Sequence, residues 1–360
     1  MIDNKKRFAR AMELVSVGKT DEAAGIYRGI LAEAPRNLAA AKALFDLVAA
    51  GAAEGDLSKT RKIVTDIETE STYSVAKMAQ TQGNFEIAIR CYKKIINLEP
   101  EHGDAVWGLA EASYGNKDLV EALRWYRRYA EIYPKDPEAE HMVAALCDGP
   151  KPSRASDEYV RETFNHFAED FDRQLLEDLE YMAPKHIHGL FKRISAANTV
   201  GLDILDAGCG TGLSGVRFKR YAGRLTGVDL SSEMLKRARD RDIYDELLES
   251  EVAACMLDRP DTFDLIIAVD VFCYIGDLAE TLHAARIALK PAGLLLFSVE
   301  AQSKRGYSLT QSGRYAHKPA YIRRIAKSAG FHEMQSFRET LRMEYGSPVP
   351  GYLTALQKLG

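Results

Sequence analysis

Three glycines within five positions, Gly208, Gly210 and Gly212, follow a carboxylate at Asp206, and a second carboxylate, Asp229, stands 23 positions beyond the first. Glycine permits the tight turn and close backbone approach that a nucleoside-bearing ligand needs, and an acid at that distance can accept hydrogen bonds from both ribose hydroxyls. The flanking residues form the elements that must hold these groups. Residues 202–206 read as a short apolar strand ending at Asp206, and residues 224–228 as a second strand ending beside Asp229. Further strands are expected at 246–250, 263–269 and 293–299, alternating with helices at 215–221, 231–241, 278–289 and 319–329. That alternation implies a parallel sheet covered on both faces, with ligands bound beyond the carboxyl ends of the strands. Two last strands, 332–342 and 351–358, joined through Gly346, Pro348 and Pro350, read as an antiparallel hairpin at the sheet edge. Helical patterns at 157–170 and 174–195 precede the first strand.

Gly210, Gly212 and Gly215 also make a literal GxGxxG, which taken alone admits a dinucleotide and a nicotinamide-dependent oxidoreductase. The carboxylate of Asp206 in the same turn suits an ammonium and would repel a pyrophosphate. The run from Asp206 through Gly208, Cys209 and Gly210 to Gly212 resembles the first motif of class I S-adenosylmethionine-dependent methyltransferases, and the resemblance extends over about residues 157–360. It implies a Rossmann-like domain with S-adenosylmethionine as cofactor. Asp206, Gly208, Cys209, Gly210 and Gly212 would surround its methionyl end, Asp229 would bind the ribose, and Leu230 would lie beside the adenine. Glu251, with Val252 after it, stands where the family often has an aspartate that accepts from the adenine amino group, so the same chemistry would work over a longer reach. Asp270 would line the methionyl end and the methyl donor. Residues 164–172 are similar to the lid of small-molecule methyltransferases, which places Phe171 at the donor. Two plainer readings stand beside these: Asp206 orders its own turn, and Phe167 and Phe171, four apart, form the buried stripe of a helix.

Methyl transfer from a sulfonium is an in-line displacement whose chief demand is alignment. A proton acceptor is needed only when the nucleophile is a hydroxyl, a protonated amine or a carbon acid. Candidate groups follow the fourth and fifth strands, and the expected catalytic set is His317, Tyr315, Arg314 and Glu300, with Asp270 and Tyr274 nearby. His317 suits proton removal and Arg314 could hold an anionic acceptor; alternatively His317 caps the following helix or packs on its loop. No Asn/Asp-Pro-Pro-aromatic run follows the fourth strand, which argues against nucleic-acid bases as acceptors. No carboxylate cluster or cysteine pair points to a metal.

The first half of the chain repeats itself. Ala23, Ala88 and Ala122 are 65 and 34 residues apart, and Tyr27, Tyr92, Tyr126 and Pro35, Pro100, Pro134 keep the same offsets. A degenerate copy near Gly55, Asp56 and Leu57 would fill the longer interval. Small residues where two helices meet, an aromatic four positions on and a terminating proline resemble the tetratricopeptide repeat over about residues 4–137. The alanines would let helices approach and the tyrosines would fill the next layer. Tyr73, Lys77, Trp107 and Glu111 are chemically mixed inner-helix candidates.

The expected organisation is therefore a tetratricopeptide-repeat helical domain at 1–147, a linker at 148–156 rich in Gly, Pro and Ser, and a Rossmann-like methyltransferase domain at 157–360. A length of 360 residues accommodates two to three domains, and 46% hydrophobic with 28% charged residues is an ordinary globular composition. Net charge is −4, which provides no global attraction for nucleic acid or anionic lipid. The five cysteines lack disulfide or zinc spacing, and the amino terminus lacks an apolar leader or anchor. A cytoplasmic methyltransferase acting on a small-molecule acceptor is expected, with the repeats recruiting a protein partner or forming a homodimer. The alternatives are a protein methyltransferase using the repeats to bind its substrate, a silent scaffold, and the oxidoreductase above.

Overall fold

The computed structural model describes residues 2–359 apart from Asp170, Gln174, residues 176–178, 197–198, Arg305 and Tyr345. The chain divides into two compact units, Met1–Tyr133 and Pro134–Gly360.

The first unit is helical: α1 (Ile2–Ser16), α2 (Thr20–Glu33), α3 (Leu38–Ala49), α4 (Leu57–Thr81), α5 (Phe85–Leu98), α6 (Gly103–Gly115) and α7 (Leu119–Ile132). The repeat pattern maps onto its packing. Ala23, Ala88 and Ala122 are fully buried, as are Tyr27, Tyr92 and Tyr126 to within 3%. A Cβ on Gly108 would lie 2.4 Å from the Tyr92 ring, so α5 and α6 approach through a glycine facing a tyrosine. The turn of the degenerate copy falls between α3 and α4, and α4 then runs on for 25 residues after Asp56, which caps it by accepting from the Ser58 and Lys59 amides. No Gly or Pro interrupts it, and the Thr69 hydroxyl instead donates to Glu99 at 2.6 Å. Glu111 accepts from Gln80 at 3.1 Å, while Trp107 packs edge-on against Tyr126 and Tyr129.

The second unit begins with α8 (Pro137–Leu146), which the sequence places at the end of the array. It continues through α9 (Asp157–Phe167), α10 (Phe171–Arg173) and α11 (Ala183–Ile194). The expected helices at 157–170 and 174–195 are thus shorter, and residues 170, 174 and 176–178 lie outside the described residues. The sheet is built from β1 (Leu202–Ala207), β2 (Ala222–Asp229), β3 (Glu246–Glu249), β4 (Phe263–Ala268) and β5 (Leu289–Ala301), parallel in the order β3-β2-β1-β4-β5. The helices α12 (Gly215–Phe218), α13 (Ser232–Asp240), α14 (Val252–Leu257), α15 (Ala279–Ala288) and α16 (Pro319–Ser328) complete the connections. Both sheet faces bury apolar clusters, one around Leu205, Ile266 and Phe297, the other around Ile204, Leu265 and Leu296. Alternate residues along a strand face opposite sides, so these clusters follow from runs that are apolar throughout.

Two short strands absent from the sequence reading, β6 (Tyr307–Leu309) and β7 (Tyr315–His317), extend the sheet beside the end of β5. The closing hairpin is longer than expected: β8 (Phe331–Glu344) and β9 (Ser347–Lys358) pair antiparallel, and β9 also pairs with β5 from Gly351 onward. Pro348 and Pro350 lie in β9 before that second pairing starts, where only one partner strand needs hydrogen bonds. Among the described residues no helix is long and apolar enough to cross a membrane, and no group of three or more His, Cys, Asp or Glu could hold a metal ion.

Candidate functional site

A cavity of about 1020 Å³ of empty space, its mouth included, opens at the carboxyl ends of β1, β2 and β4. Toward β2 and β3 it is lined by Gly208, Gly210, Asp229, Leu230, Glu251 and Val252; toward β4 and β5 by Tyr181, Asp270, Cys273, Tyr274, Arg314 and Arg342.

The first end is shaped by backbone. Gly208 has φ +68, and a Cβ there would sit 2.3 Å from Val271, so the turn after β1 touches the segment after β4 only through glycine. Asp229 closes β2 with one oxygen accepting from the Gly210 amide at 2.8 Å and the other from Ser231 at 2.9 Å. Burial raises its pKa against the pull of those amides. Each carboxylate oxygen retains a lone pair for a ligand donor. Glu251 caps α14 by accepting from Ala254 at 2.8 Å, and its other oxygen lies 3.6 Å from Arg154.

Arg154 and Ala155, expected within the linker, line this cavity. The Ser153 carbonyl accepts from the Gly276 and Asp277 amides at 2.8 and 2.9 Å, and Ala155 donates to Tyr274 at 2.9 Å. The chain at 153–155 is therefore bonded into the wall, a pairing that Gly, Pro and Ser content could not reveal.

The roof is aromatic. Phe164 packs edge-on against Phe171 and Tyr274, with centroids 5.9 and 5.5 Å apart. Phe171 lines the cavity over Gly210, whereas Phe167 is 45% exposed, so the two do not form a buried helical stripe. Asn165 accepts from Ser231 at 2.6 Å, and Asp172 accepts from the Thr211 hydroxyl and pairs with Arg241. The roof is thereby tied to the glycine loop and to α13.

Asp206, Cys209 and Gly212 do not line the cavity. Asp206 is fully buried behind the loop, where one oxygen accepts from the Tyr244 hydroxyl at 2.6 Å and the other has no hydrogen-bond partner. Burial pushes its pKa up to about 7, Tyr244 pulls it down and Asp229 adds to the rise. Gly215, the last glycine of the GxGxxG, faces the same tyrosine: a Cβ there would lie 2.3 Å from the Tyr244 oxygen. That glycine makes room for a side chain, not for a pyrophosphate.

The second end is an ion cluster. Arg342, 3% exposed on β8, donates to Asp270 at 3.1 Å, to Glu344 at 2.8 Å and to Glu300. Arg314 pairs with Glu344 and lies 4.0 Å from Glu300. Burial alone would raise the Glu344 pKa, but Arg314 and Arg342 hold it below its ordinary value. Asp270 has φ +57, uncommon for a residue with a side chain, and is fixed there by bonds to and from Ser298 at 2.8 and 3.0 Å. Tyr274 is pushed up to about 12 by burial, with Arg314 opposing.

Of the expected catalytic set, only Arg314 lines the cavity. His317 is buried on β7, contacting the Gly276 carbonyl at 2.9 Å and stacking on Tyr321, and burial lowers its pKa to about 4. Tyr315 donates to the Pro152 carbonyl at 2.8 Å, and Glu300 supports Arg342 from behind. The reason is common to all three: a segment read as a loop is a strand whose side chains pack inward. Tyr181, Arg342 and Tyr244 escaped the sequence reading. A charge between Leu341 and Met343 inside a strand was a usable signal for Arg342; nothing local marks Tyr181 or Tyr244.

Residues 205–297 match the family model described as a methyltransferase domain, and residues 76–137 match that of the tetratricopeptide repeat. The ubiquinone biosynthesis O-methyltransferase of Colwellia psychrerythraea is 28% identical over 115 residues, 30% of this chain and 46% of that protein. The human mitochondrial ubiquinone biosynthesis O-methyltransferase is 30% identical over 117 residues, 31% of this chain and 32% of that protein. The chain thus spans about half, or less, of these relatives' lengths. Among solved structures, the Burkholderia thailandensis 1,6-didemethyltoxoflavin-N1-methyltransferase, with 1,6-didemethyltoxoflavin and S-adenosylhomocysteine bound, aligns with a TM-score of 0.47 at 17% identity, covering 59% of this chain and 94% of that one.

Proposed function

We propose that this chain, with a methyltransferase domain at residues 205–297 and tetratricopeptide repeats in its helical half, transfers a methyl group from S-adenosylmethionine to a small-molecule acceptor. The observation that carries this reading is one continuous cavity with Asp229 and the glycine loop at one end and Asp270, Arg314 and Arg342 at the other. The residues suit the donor: Asp229 can take the ribose hydroxyls, Leu230 and Val252 can flank the adenine, and among the described residues no lysine or arginine bonds to Asp206, whose charge suits an ammonium. When bound, S-adenosylmethionine supplies a methyl group activated by its sulfonium.

The chain's own part is positioning and exclusion of water. Phe164, Phe171, Leu175, Leu179 and Tyr274 give the acceptor apolar walls. Arg314, braced by Glu344, keeps N–H donors for an acceptor oxygen. The O-methyltransferase relatives favour oxygen as the nucleophile. For a hydroxyl acceptor, Asp270 is the cavity carboxylate placed to receive the proton, with the Tyr181 phenol beside the same wall. The helical half recruits a partner protein or a second copy, which sedimentation of the full chain distinguishes.

Calorimetry tests the donor assignment. S-adenosylmethionine and S-adenosylhomocysteine are expected to bind the wild type and NAD is not; Asp229→Ala should weaken both adenosyl ligands. Binding of NAD alone, or of none of the three, would sink the reading. Methyl transfer to a panel of phenols, amines and carboxylic acids then identifies the acceptor class.

A further inference from the structure

The ring of Tyr244, in the connection between α13 and β3, occupies a slot that three glycines leave open. A Cβ on Gly215 would lie 2.3 Å from its hydroxyl oxygen, one on Gly227 3.0 Å from its ring, and one on Gly212 3.1 Å from its ring. These glycines belong to the loop after β1, to α12 and to β2, so a single side chain props the underside of the donor-binding turn. Its hydroxyl donates to one oxygen of Asp206 at 2.6 Å, and the second oxygen of that fully buried carboxylate makes no hydrogen bond of normal geometry among the described residues, with the Gly215 amide facing the carboxyl. An unpaired buried carboxylate oxygen is costly; Asp206 lies behind the loop and does not line the cavity, so a cationic ligand group would relieve that cost across the glycine turn or through an ordered water.

We propose that Tyr244 is a positioning residue for the donor: it orients Asp206 from beneath the glycine loop, so that the carboxylate attracts the methionyl ammonium across that turn. This rests on the S-adenosylmethionine reading above. The groups facing Asp206 support it. Tyr244 is the hydroxyl donor from the α13–β3 connection and the Gly215 amide faces it from α12. Asp229 on β2 is the neighbouring acid that disfavours its charge, while Cys209 in the loop and Tyr181 ahead of α11 are groups whose own ionisation the Asp206 charge suppresses. With burial already raising the Asp206 pKa to about 7, loss of the phenol would raise it further and leave the carboxyl protonated at neutral pH.

The test compares two probes by calorimetry between pH 6 and 8.5 on the full chain: S-adenosylhomocysteine, which carries the ammonium, and 5′-methylthioadenosine, which lacks the amino-acid end. In the wild type, S-adenosylhomocysteine affinity is expected to rise with pH through about 7 while methylthioadenosine affinity stays flat. Tyr244→Phe keeps the ring in its slot; it should weaken S-adenosylhomocysteine about tenfold at pH 7, as for one charge-assisted hydrogen bond, and move its pH midpoint upward. Methylthioadenosine should bind within twofold of wild type. Asp206→Asn, which keeps the shape, should abolish the pH dependence with the same selectivity. Equal weakening of both probes, or no change in either, overturns the inference while leaving the donor reading intact. If the wild type binds neither probe, the donor reading and the inference fall together.

Discussion

The two ends of the cavity hold buried carboxylates in opposite ways. At the donor end, Asp206 and Asp229 are held by a phenol and by backbone amides, with no cation bonded to either among the described residues, and burial raises both pKa values. At the acceptor end, Asp270, Glu300 and Glu344 surround Arg342, and Arg314 joins them. There the guanidinium charges outweigh burial, and Glu344 is held down. A carboxylate balanced only by dipoles keeps an uncompensated charge, whereas one paired with arginine is held in place by its partner.

The largest effect should come from breaking the paired end. Arg342→Met removes the guanidinium shared by Asp270, Glu300 and Glu344, leaves Arg314 on the Glu344 side, and should cost about 3–5 kcal/mol of stability in chemical denaturation; a loss under 1 kcal/mol would mean the cluster is solvated and the contrast is wrong. Next, Asp229→Ala should weaken S-adenosylhomocysteine about 100-fold, the scale of two charge-assisted bonds, while changing stability far less.

The ends should also answer pH with opposite sign. The folded pKa of Asp206 is above its unfolded value, so the native state binds the extra proton and this group's contribution falls as pH rises from about 4 through 7. The folded pKa of Glu344 is depressed, so its contribution is present above its unfolded value near 4.5 and is lost as pH falls through the folded value. Ligand-free Asp206→Asn should therefore gain on wild type, by about 4 kcal/mol, between pH 4 and 8. A constant difference across that range would show that Asp206 does not titrate there. Smaller still, His317→Gln should lose about 1–2 kcal/mol of stability and leave S-adenosylhomocysteine affinity within twofold, because the imidazole bonds Gly276 away from the cavity. A tenfold affinity loss would return His317 to the site.

The donor end was far more legible in the sequence than the acceptor end. Gly208, Gly210, Asp229, Leu230, Glu251 and Val252 belong to strand ends and the turns after them, and strand direction alone gathers such residues at one edge of a parallel sheet. Asp270 and Phe171 reach the same cavity. The acceptor end is assembled from β8, the turn before β7 and the segment before α11, separated by long stretches of chain. Residue type made His317 and Tyr315 attractive there, yet pairing of β7 with β5 and β6 turned both inward. The repeat half shows the same limit: the alanine and tyrosine spacing located its core, while the 25-residue length of α4 was not marked by that spacing.

The sequence by itself determined the two architectures, the position of the glycine turn and the acid that closes β2, because these depend on periodicity and on backbone freedom over a few residues. Only the tertiary structure decided that Tyr244 lies beneath that turn, that Arg154 walls the cavity and that Arg342 gathers three carboxylates. Those contacts are set by how strands and helices far apart in the chain pack together, and no local pattern encodes the distance between two side chains that meet only after the sheet has formed.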